Sequence, residues 1–395
     1  MSATNTICIG GVSLTIGQGA SALVGQELAK NGLKKPLIVT DAVLLRLGIC
    51  SDVFRSLDAA QIPYAVFDSV PSDPPASAVT RGTEICRQSC CDAVVAIGGG
   101  SVLDCAKAIK MMVTHGGNSI LSYKKGGLIF TNPGLPLFSI PTTSGTGSEV
   151  TQYAVITDEE KQVKTTIGHP YLVSKAVYLD PCLTAGLPPR ITAATAMDAL
   201  GHAIEAYTSN RVLYAGGSTA FSDVLDLEAI RLIAHALPSA VSDGRNLQAR
   251  TDVMVGAAMA GLVSQAGSGS AHGIGAALGA MYHVPHGEAV GMLLPYVMEH
   301  NLPVCIGRFA NIAKALGADI NGVEDMDAAK AGVAFMKQLV TDIRLPVLRD
   351  YVKDEAELPA LAEKGLIDHC NSLNSAPLTN YELCLKILER AWHMQ

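Results

Sequence analysis

The chain lacks the features that would point to a membrane or to a nucleic-acid partner. Its 395 residues contain no uninterrupted apolar run of about 18 residues, the length that a membrane-spanning helix needs. The formal net charge is -7, and Lys34-Lys35 and Lys124-Lys125 are the only basic doublets. Because nucleic-acid binding needs a basic patch, we expect neither a membrane span nor a nucleic-acid partner.

Cysteine pairs of the CxxC type are also absent, although the chain has 10 cysteines. Residues 1–6 lack the basic stretch of a secretory signal. We therefore expect free, mostly buried thiols in a cytoplasmic protein. Charged residues make up only 16% of the chain and hydrophobic residues 49%, which excludes a disordered chain and favours a globular protein of two domains.

In the first half of the chain, short β-branched apolar runs alternate with helical stretches. Strands are predicted at residues 37–40, 64–67, 93–97 and 137–140, and helices at 22–29, 76–87 and 102–114. This alternation is typical of a parallel sheet with crossover helices. The sequence therefore predicts an α/β domain at the N-terminal side.

The pattern changes near residues 180–189, where Pro188-Pro189 ends the alternation. Beyond this point, Ala-, Leu- and Met-rich segments predict helices at residues 191–210, 218–241, 247–264, 272–281, 288–301, 306–316, 326–343 and 381–392. We place the domain boundary at about residue 188, which gives an α/β domain over residues 1–188 and a helical domain over residues 189–395.

Two loops of the first domain have the composition of a phosphate-binding site. Residues 98–101 (Gly-Gly-Gly-Ser) follow a predicted strand and begin a helix, where backbone N–H groups can meet a phosphate. The polar loop at residues 141–149 follows the next strand. A simple tight turn and an ordinary polar loop are the alternatives.

Asp41 stands at the end of the strand predicted at residues 37–40. In doubly wound folds, an acidic residue at this place accepts a hydrogen bond from a ribose 2′-hydroxyl and repels a 2′-phosphate. Asp41 therefore favours NAD over NADP as the cofactor. A helix N-cap is the alternative role for its side chain.

Four side chains of the second domain form a candidate metal shell. Asp198 and His202 have the i, i+4 spacing that places them on one helix face, and His272 and His286 follow beside glycines. One carboxylate and three imidazoles suit a divalent transition metal. Each residue alone could be structural, but a buried Asp198 needs a partner, and a dication would supply one. His283 is either a proton-relay group or a surface histidine.

At these residues the chain resembles the iron-containing (group III) alcohol dehydrogenase family. The resemblance rests on five stretches that follow in order along the chain, at residues 98–107, 141–151, 180–184, 192–205 and 272–287. It implies an α/β dinucleotide-binding domain, with a parallel sheet flanked by helices, followed by an all-α metal-binding domain. This is the architecture that the family shares with dehydroquinate synthase. The resemblance also implies a homodimer.

The resemblance further implies roles for individual residues. Asp198, His202, His272 and His286 would bind Fe²⁺, although Zn²⁺ fits the same ligands. A second set would contact NAD: Gly98, Gly99, Gly100, Ser101, Asp104, Thr142, Thr143, Thr146, Lys164 and, in place of an asparagine, Asp73. The chain departs from the family at Ala276, where a second histidine often follows the third ligand. His283 or a water chain would then carry the proton.

The reaction implied is hydride transfer between NAD(H) and a small primary or secondary alcohol or aldehyde, with the metal as Lewis acid on the substrate oxygen. A relative acting on a hydroxyacid or semialdehyde, of the 4-hydroxybutyrate or maleylacetate type, is one alternative. A dehydroquinate-synthase-like lyase is another, but the scarcity of Lys and Arg between His272 and His286 disfavours an anionic substrate. A non-enzymatic nucleotide- or metal-binding module would bind without turnover.

Overall fold

The computed structural model describes residues 4–9, 11–210, 220–264 and 267–394. The chain divides into two compact units, the first formed by residues 1–143 and 147–185 and the second by residues 144–146 and 186–395. The division between the two compact units falls after residue 185. The domain boundary at about residue 188 stays a prediction.

The first unit is built on a seven-stranded sheet. Its strands are β1 (Asn5–Ile9), β2 (Val12–Ile16), β3 (Pro36–Val39), β4 (Ala65–Phe67), β5 (Ala93–Gly98), β6 (Leu137–Pro141) and, after the hairpin strands β7 (Tyr153–Asp158) and β8 (Val163–Gly168), β9 (Ala176–Leu179). The order in the sheet is β1-β2-β9-β6-β5-β3-β4, with β1 antiparallel to β2 and every other pair parallel. The predicted parallel sheet is therefore confirmed.

The middle strands are buried on both faces, which explains their continuous apolar runs. Successive side chains of a strand point to opposite faces. Val94 and Ala96 of β5 accordingly lie in one apolar cluster, and Val95 and Ile97 lie in the other. The helices of this unit are α1 (Val24–Lys30), α2 (Ala42–Arg46), α3 (Ser51–Ala59), α4 (Ala76–Gln88) and α5 (Gly100–His115).

In its described residues, the second unit is helical and has no strand. Its helices are α6 (Pro189–Thr208), α7 (Ala220–Ser242), α8 (Leu247–Val263), α9 (Ser270–Tyr282), α10 (His286–Asn301), α11 (Ile306–Leu316), α12 (Asp325–Asp342), α13 (Leu348–Tyr351), α14 (Leu358–Gly365), α15 (Cys370–Leu373) and α16 (Tyr381–His393). The helical prediction is confirmed. Residues 218 and 219 of the helix predicted at 218–241 lie outside the described residues.

Helix α6 is the element around which the candidate site is arranged. It begins at Pro189, where the missing N–H of proline costs nothing because the first turn has no partner for it. Most of its length is buried, including the polar residues Asp198 and Glu205. Gly201 lets α10 approach closely, since a Cβ at this position would lie 2.6 Å from Val290 Cγ1. Helix α6 is therefore a core helix that carries ionisable groups.

The expectations about cysteines and membrane spans can be compared with the structure. All 10 cysteines are free, and six of them are buried, namely Cys50, Cys86, Cys91, Cys105, Cys305 and Cys384. Among the described residues, no helix combines the length and the apolar character that crossing a membrane requires.

Candidate functional site

Three side chains bring their ligand atoms together in the second unit. An oxygen of Asp198 and one ring nitrogen each of His202 and His272 lie within 4.8 Å of one another. Asp198 and His202 are one turn apart on α6, as their spacing predicts, and His272 lies in the first turn of α9. The ring centroids of the two histidines are 4.4 Å apart. Helix geometry and the start of α9 thus build most of the predicted metal shell.

His286 completes the cluster from the first position of α10. Its Nε2 lies 3.4 Å from Asp198 Oδ1, and its ring centroid lies 5.4 Å from that of His272. The side chain of His286 is 47% exposed, whereas that of Asp198 is 5% exposed. The structure therefore brings all four residues of the predicted shell together and leaves one of them open to solvent.

Buried polar atoms of this cluster lack hydrogen-bond partners among the described residues. They are Asp198 Oδ1, His202 Nδ1 and His272 Nε2. A buried polar group without a partner costs about 1–3 kcal/mol, and a charged group costs more. A divalent cation accepts lone pairs from carboxylate oxygens and imidazole nitrogens, so these atoms fit a metal ion.

The electrostatics of the cluster also suit a cation. Burial raises the pKa of Asp198, but the imidazoles of His202, His286 and His272 have the larger and opposite effect. The pKa of Asp198 therefore lies below its usual value. Burial lowers the pKa of His202 to about 4, which leaves its imidazole neutral. Burial also lowers the pKa of His272, but Glu205 and Asp198 outweigh this and raise it to about 10, so a metal ion has to displace a proton from this imidazole when it binds. An ionised carboxylate and a neutral imidazole are the forms that bind metals.

Glu205 is a residue of the site that the sequence patterns do not single out. It lies on α6 one turn past His202 and is 3% exposed. Its carboxylate accepts hydrogen bonds from the backbone N–H groups of Gly269 at 2.8 Å and Ala271 at 2.7 Å, and it contacts Nδ1 of His272. The one sequence signal for Glu205 is its position three residues after the candidate ligand His202 in an otherwise mostly apolar helix.

A second buried carboxylate fixes the start of α10. Arg190, in the first turn of α6, donates from Nε to Glu288 Oε1 at 2.6 Å and from Nη2 to Glu288 Oε2 at 2.9 Å. The hydroxyl of Tyr351 also donates to Glu288 Oε2. Because Glu288 lies two residues after His286, this pair anchors the turn that carries His286.

The two predicted phosphate-binding loops are neighbours in the first unit. Gly98 of β5 pairs with Pro141 of β6, and the N–H of Thr142 donates to Gly98 O at 3.1 Å. A Cβ at Gly99 would lie 3.2 Å from Thr143 Oγ1, so the loops nearly touch. Gly100 and Ser101 begin α5, whose first N–H groups have no partner within the helix. The loops thus lie together at the carboxyl ends of adjacent parallel strands, where doubly wound folds bind ligands.

Three further residues predicted to contact the cofactor also meet in this unit. Lys164 Nζ lies 2.7 Å from Asp73 Oδ1, and the N–H of Asp73 donates to Ser101 Oγ at 3.3 Å. The side chains of Lys164 and Asp73 are 56% and 62% exposed. An ion pair this exposed contributes only about 0–1 kcal/mol, so its groups remain available to a ligand.

Asp104 has a structural role within the fold. Its Oδ1 accepts from Ser148 Oγ at 2.5 Å, and its Oδ2 accepts from the N–H of Val155 at 2.9 Å. The buried Lys107 donates to Ser148 Oγ at 2.9 Å, Thr151 Oγ1 at 3.0 Å and Tyr153 O at 2.6 Å. Burial lowers the pKa of Lys107 to about 8. These bonds tie α5 to the end of the polar loop, and a direct contact of Asp104 with the cofactor stays a prediction.

The remaining residues predicted to take part in cofactor binding or proton transfer are Asp41, His283 and Thr146. Asp41 Oδ1 caps α2 by accepting from the N–H groups of Val43 at 2.8 Å and Leu44 at 2.9 Å. His283 is exposed and ends α9 with a left-handed φ of 55°. Thr146 belongs to the segment 144–146 that groups with the second unit. The cofactor and proton-relay roles of these residues stay predictions.

Comparison with known proteins decides the family. Residues 12–181 match the family model described as iron-containing alcohol dehydrogenase, and residues 192–392 match the model of the C-terminal part of the Fe-containing family. The chain belongs to the iron-containing alcohol dehydrogenase family. The resemblance inferred from the sequence is therefore confirmed over nearly the whole chain.

Characterised relatives match along most of their own length. The chain is 38% identical to choline dehydrogenase of Bacillus subtilis, over 89% of this chain and 87% of the relative. It is 38% identical to 1,3-propanediol dehydrogenase of Klebsiella pneumoniae, over 89% of this chain and 90% of the relative. It is 34% identical to lactaldehyde reductase of Escherichia coli, over 95% of this chain and 97% of the relative.

Solved structures match the fold. A 1,3-propanediol oxidoreductase superposes with a TM-score of 0.89 at 35% identity, over 99% of this chain and 100% of the other. A sulfoacetaldehyde reductase from Bifidobacterium kashiwanohense in complex with NAD⁺ gives a TM-score of 0.87 at 27% identity, over the full length of both. This iron-containing alcohol dehydrogenase is an enzyme of NAD(H)-linked alcohol and aldehyde oxidoreduction, and the family implies that it binds a metal and NAD(H).

Replacing Asp41 tests its predicted part in cofactor choice. Asp41→Ser removes the carboxylate but retains an oxygen that can cap α2, and Asp41→Gly removes the side chain at little cost to the cap. Both variants should raise the ratio of kcat/KM for NADP to that for NAD severalfold, because a 2′-phosphate would no longer meet a negative charge. Asp325→Ser, an exposed position on α12, controls for net charge. An unchanged ratio in both Asp41 variants would remove the assigned role.

Replacing Lys107 tests the buried network of the first unit. Lys107→Met leaves Asp104 and three oxygens without their cation, so we expect the free energy of unfolding to fall by about 3–5 kcal/mol and NAD binding to weaken. Lys161→Met is the control, since its side chain is 62% exposed and its ion pair with Asp158 should contribute almost nothing. Urea unfolding measures both variants. Equal midpoints would show that the network is dispensable.

Proposed function

We propose that Asp198, His202, His272 and His286 hold the catalytic divalent metal of this NAD-linked dehydrogenase. The observation that carries the proposal is the convergence of these side chains around buried polar atoms that have no hydrogen-bond partner among the described residues. One carboxylate oxygen with imidazole nitrogens suits both Fe²⁺ and Zn²⁺. We propose Fe²⁺ as the resident metal, in keeping with the family.

The metal, when bound, supplies Lewis acidity toward the oxygen of an alcohol or aldehyde. The chain's own residues hold the ligands in place. Helix α6 sets Asp198 and His202 one turn apart, Glu205 orients His272, and the Arg190–Glu288 pair fixes the turn of His286. Solvent reaches the cluster at the half-exposed His286. We infer that the substrate oxygen approaches on that side.

The proposed cofactor site lies on the neighbouring loops at residues 98–101 and 141–149. The N–H groups at the start of α5, beside Gly99 and Gly100, would bind the pyrophosphate. Thr142, Thr143 and Thr146 would bind the phosphates and the nicotinamide ribose. Lys164 and Asp73 would lie toward the adenosine, with Asp41 at its ribose, and their exposed side chains are accessible for this purpose. When bound there, NAD(H) would supply the hydride acceptor or donor of the reaction.

We propose His283 as the group that exchanges the proton with solvent. Ala276 lies one helical turn after His272 on α9, is exposed and has no titratable atom. His283 is exposed at the end of the same helix, three residues before His286. If His283 does not act, a chain of water molecules would carry the proton from this side.

The proposed substrates are small primary or secondary alcohols and the corresponding aldehydes. The relatives are named for choline, 1,3-propanediol and lactaldehyde, and a structural neighbour is named for sulfoacetaldehyde. The compounds in these names are short and carry a hydroxyl or aldehyde group at one end, and they differ at the other end. A hydroxyacid or semialdehyde remains the alternative within the same chemistry. We also propose a homodimer, as the family resemblance implies, and a cytoplasmic location, which the free and mostly buried cysteines favour.

Removing one ligand tests the metal site. His272→Ala and His286→Ala should each abolish metal retention and reduce NAD-linked oxidation of a panel of short alcohols to background. His235→Ala is the matched control, because its side chain is exposed and it belongs to neither group of candidate metal ligands among the described residues. Metal content is measured by elemental analysis, and activity is measured again after Fe²⁺ or Zn²⁺ is restored. Full activity and full metal content in both ligand variants would contradict the proposal.

Replacing His283 tests the proton step separately from the metal. His283→Ala should lower kcat severalfold at unchanged metal content, and added imidazole should restore part of the rate because it can exchange the proton in solution. His235→Ala again serves as the control. A kcat equal to that of the wild type, with no response to imidazole, would favour the water chain.

A further inference from the structure

Glu205 is a buried carboxylate whose hydrogen bonds converge on the start of one helix. Its Oε1 accepts from the N–H of Ala271 and its Oε2 from the N–H of Gly269, at 2.7 Å and 2.8 Å, and Oε2 also contacts Nδ1 of His272. These donors belong to the N-cap and first turn of α9, where N–H groups have no partner within the helix. A negative charge here is also favoured by the helix dipole.

The contact with the backbone is close enough to determine the residue at position 269. Gly269 has an extended backbone, with φ of -116° and ψ of -156°, that other residues can adopt. A Cβ at Gly269 would lie 2.8 Å from both Glu205 Oε1 and Asn374 Oδ1, so a larger residue would displace these side chains. Glycine at this position therefore lets both side chains approach the start of α9.

The same carboxylate decides which nitrogen of His272 faces the cluster. A neutral imidazole that donates its Nδ1–H to a carboxylate has its lone pair on Nε2, the nitrogen that would then be free to bind a metal. In this protein Nε2 of His272 lies 3.5 Å from Asp198 Oδ1 and has no hydrogen-bond partner among the described residues. The Glu205 contact thus selects both the tautomer and the direction of the ring.

We propose that Glu205 is a positioning residue for the metal centre, acting through His272. It orients the imidazole through Nδ1 and holds the first turn of α9 against α6. The inference rests on the proposed metal site formed by Asp198, His202, His272 and His286. Carboxylates that accept from metal-bound histidines typically contribute roughly 10–100-fold to metal affinity. A plain helix cap would contribute to stability alone.

Asn374 offers a matched control for the capping role. Its Oδ1 accepts from the N–H of Ser270, at 3.2 Å, in the same first turn of α9. No hydrogen bond joins Asn374 to His272 among those described. Asn374→Ala therefore loosens the start of α9 without removing the partner of Nδ1, whereas Glu205→Gln keeps the size of the side chain and removes the charge.

The test compares metal binding in the two variants of the full chain. Glu205→Gln should weaken Zn²⁺ affinity by roughly 10–100-fold in competition with a chelator and should change the visible absorption of the Co²⁺-loaded protein, which reports ligand geometry. Asn374→Ala should lower the melting temperature and leave the affinity and the Co²⁺ spectrum as in the wild type. If Glu205→Gln does not fold, Glu205→Asp, which keeps the charge but shortens the reach to Nδ1, should show the same spectral change.

The possible failures are distinguishable. Wild-type affinity and an unchanged Co²⁺ spectrum in Glu205→Gln, with loss of metal in His272→Ala, would overturn the role of Glu205 and leave the metal site intact. Equal losses of affinity in Glu205→Gln and Asn374→Ala would also overturn it, because the effect would then come from loosening α9. Full metal retention in His272→Ala would instead overturn the proposed metal site.

Discussion

The burial of ionised groups along α6 is the constraint on which the second unit depends. Asp198 and Glu205 lie seven residues apart in a helix whose other buried residues are mainly apolar. An isolated carboxylate in such surroundings costs several kcal/mol unless it is paired and hydrogen-bonded. Glu205 meets this requirement with two backbone N–H groups and an imidazole. Asp198 has imidazoles around it but an oxygen without a hydrogen bond, and so requires a further cationic partner.

This constraint explains the close packing of the helices that carry the ligands. Glycines allow α10 to lie against α6, since a Cβ at Gly287 would lie 2.1 Å from Ala194 O and one at Gly201 would lie 2.6 Å from Val290 Cγ1. The Arg190–Glu288 pair then fixes the turn of α10 at the same contact. A metal shell tolerates errors of only a few tenths of an ångström in ligand position. Dense packing and paired charges together hold the ligand side chains of this helical unit in place with that precision.

The sequence predicts the parts of the structure that rest on local patterns. The fully buried strands β3, β5 and β6 are continuous apolar runs, and the long helices of the second unit are rich in Ala, Leu and Met. Strands β1, β2, β7 and β8 were missed because they are short and mix apolar with polar residues. Strand β9, an apolar run of four residues, was also missed, as were helices α2, α3 and α14. Helices α13 and α15 have four residues each, too few for periodicity to show.

The candidate site divides in the same way. The i, i+4 spacing of Asp198 and His202 is local, whereas His272 and His286 were added as histidines beside glycines, and the family resemblance supported their role as ligands. Glu205 could not be predicted because two of its partners are backbone N–H groups more than 60 residues away, which carry no side-chain signal. Asp104 was expected to contact the cofactor, but which atoms occupy its oxygens depends on the folded position of Ser148 and Val155.

Three aspartates with little exposure to solvent show how structural and functional carboxyl groups differ in this protein. Asp104, 13% exposed, has hydrogen bonds to both oxygens and a lysine beside it, so its oxygens are used in holding the fold together. Asp226 also has a buried oxygen without a hydrogen bond, but burial and the nearby Asp223 raise its pKa to about 8, and a neutral carboxyl group tolerates burial. Asp198 alone combines a lowered pKa with an oxygen that lacks a hydrogen bond. A carboxylate kept ionised and incompletely paired in a core makes sense where a cation binds, and this combination separates the metal site from the other buried acids.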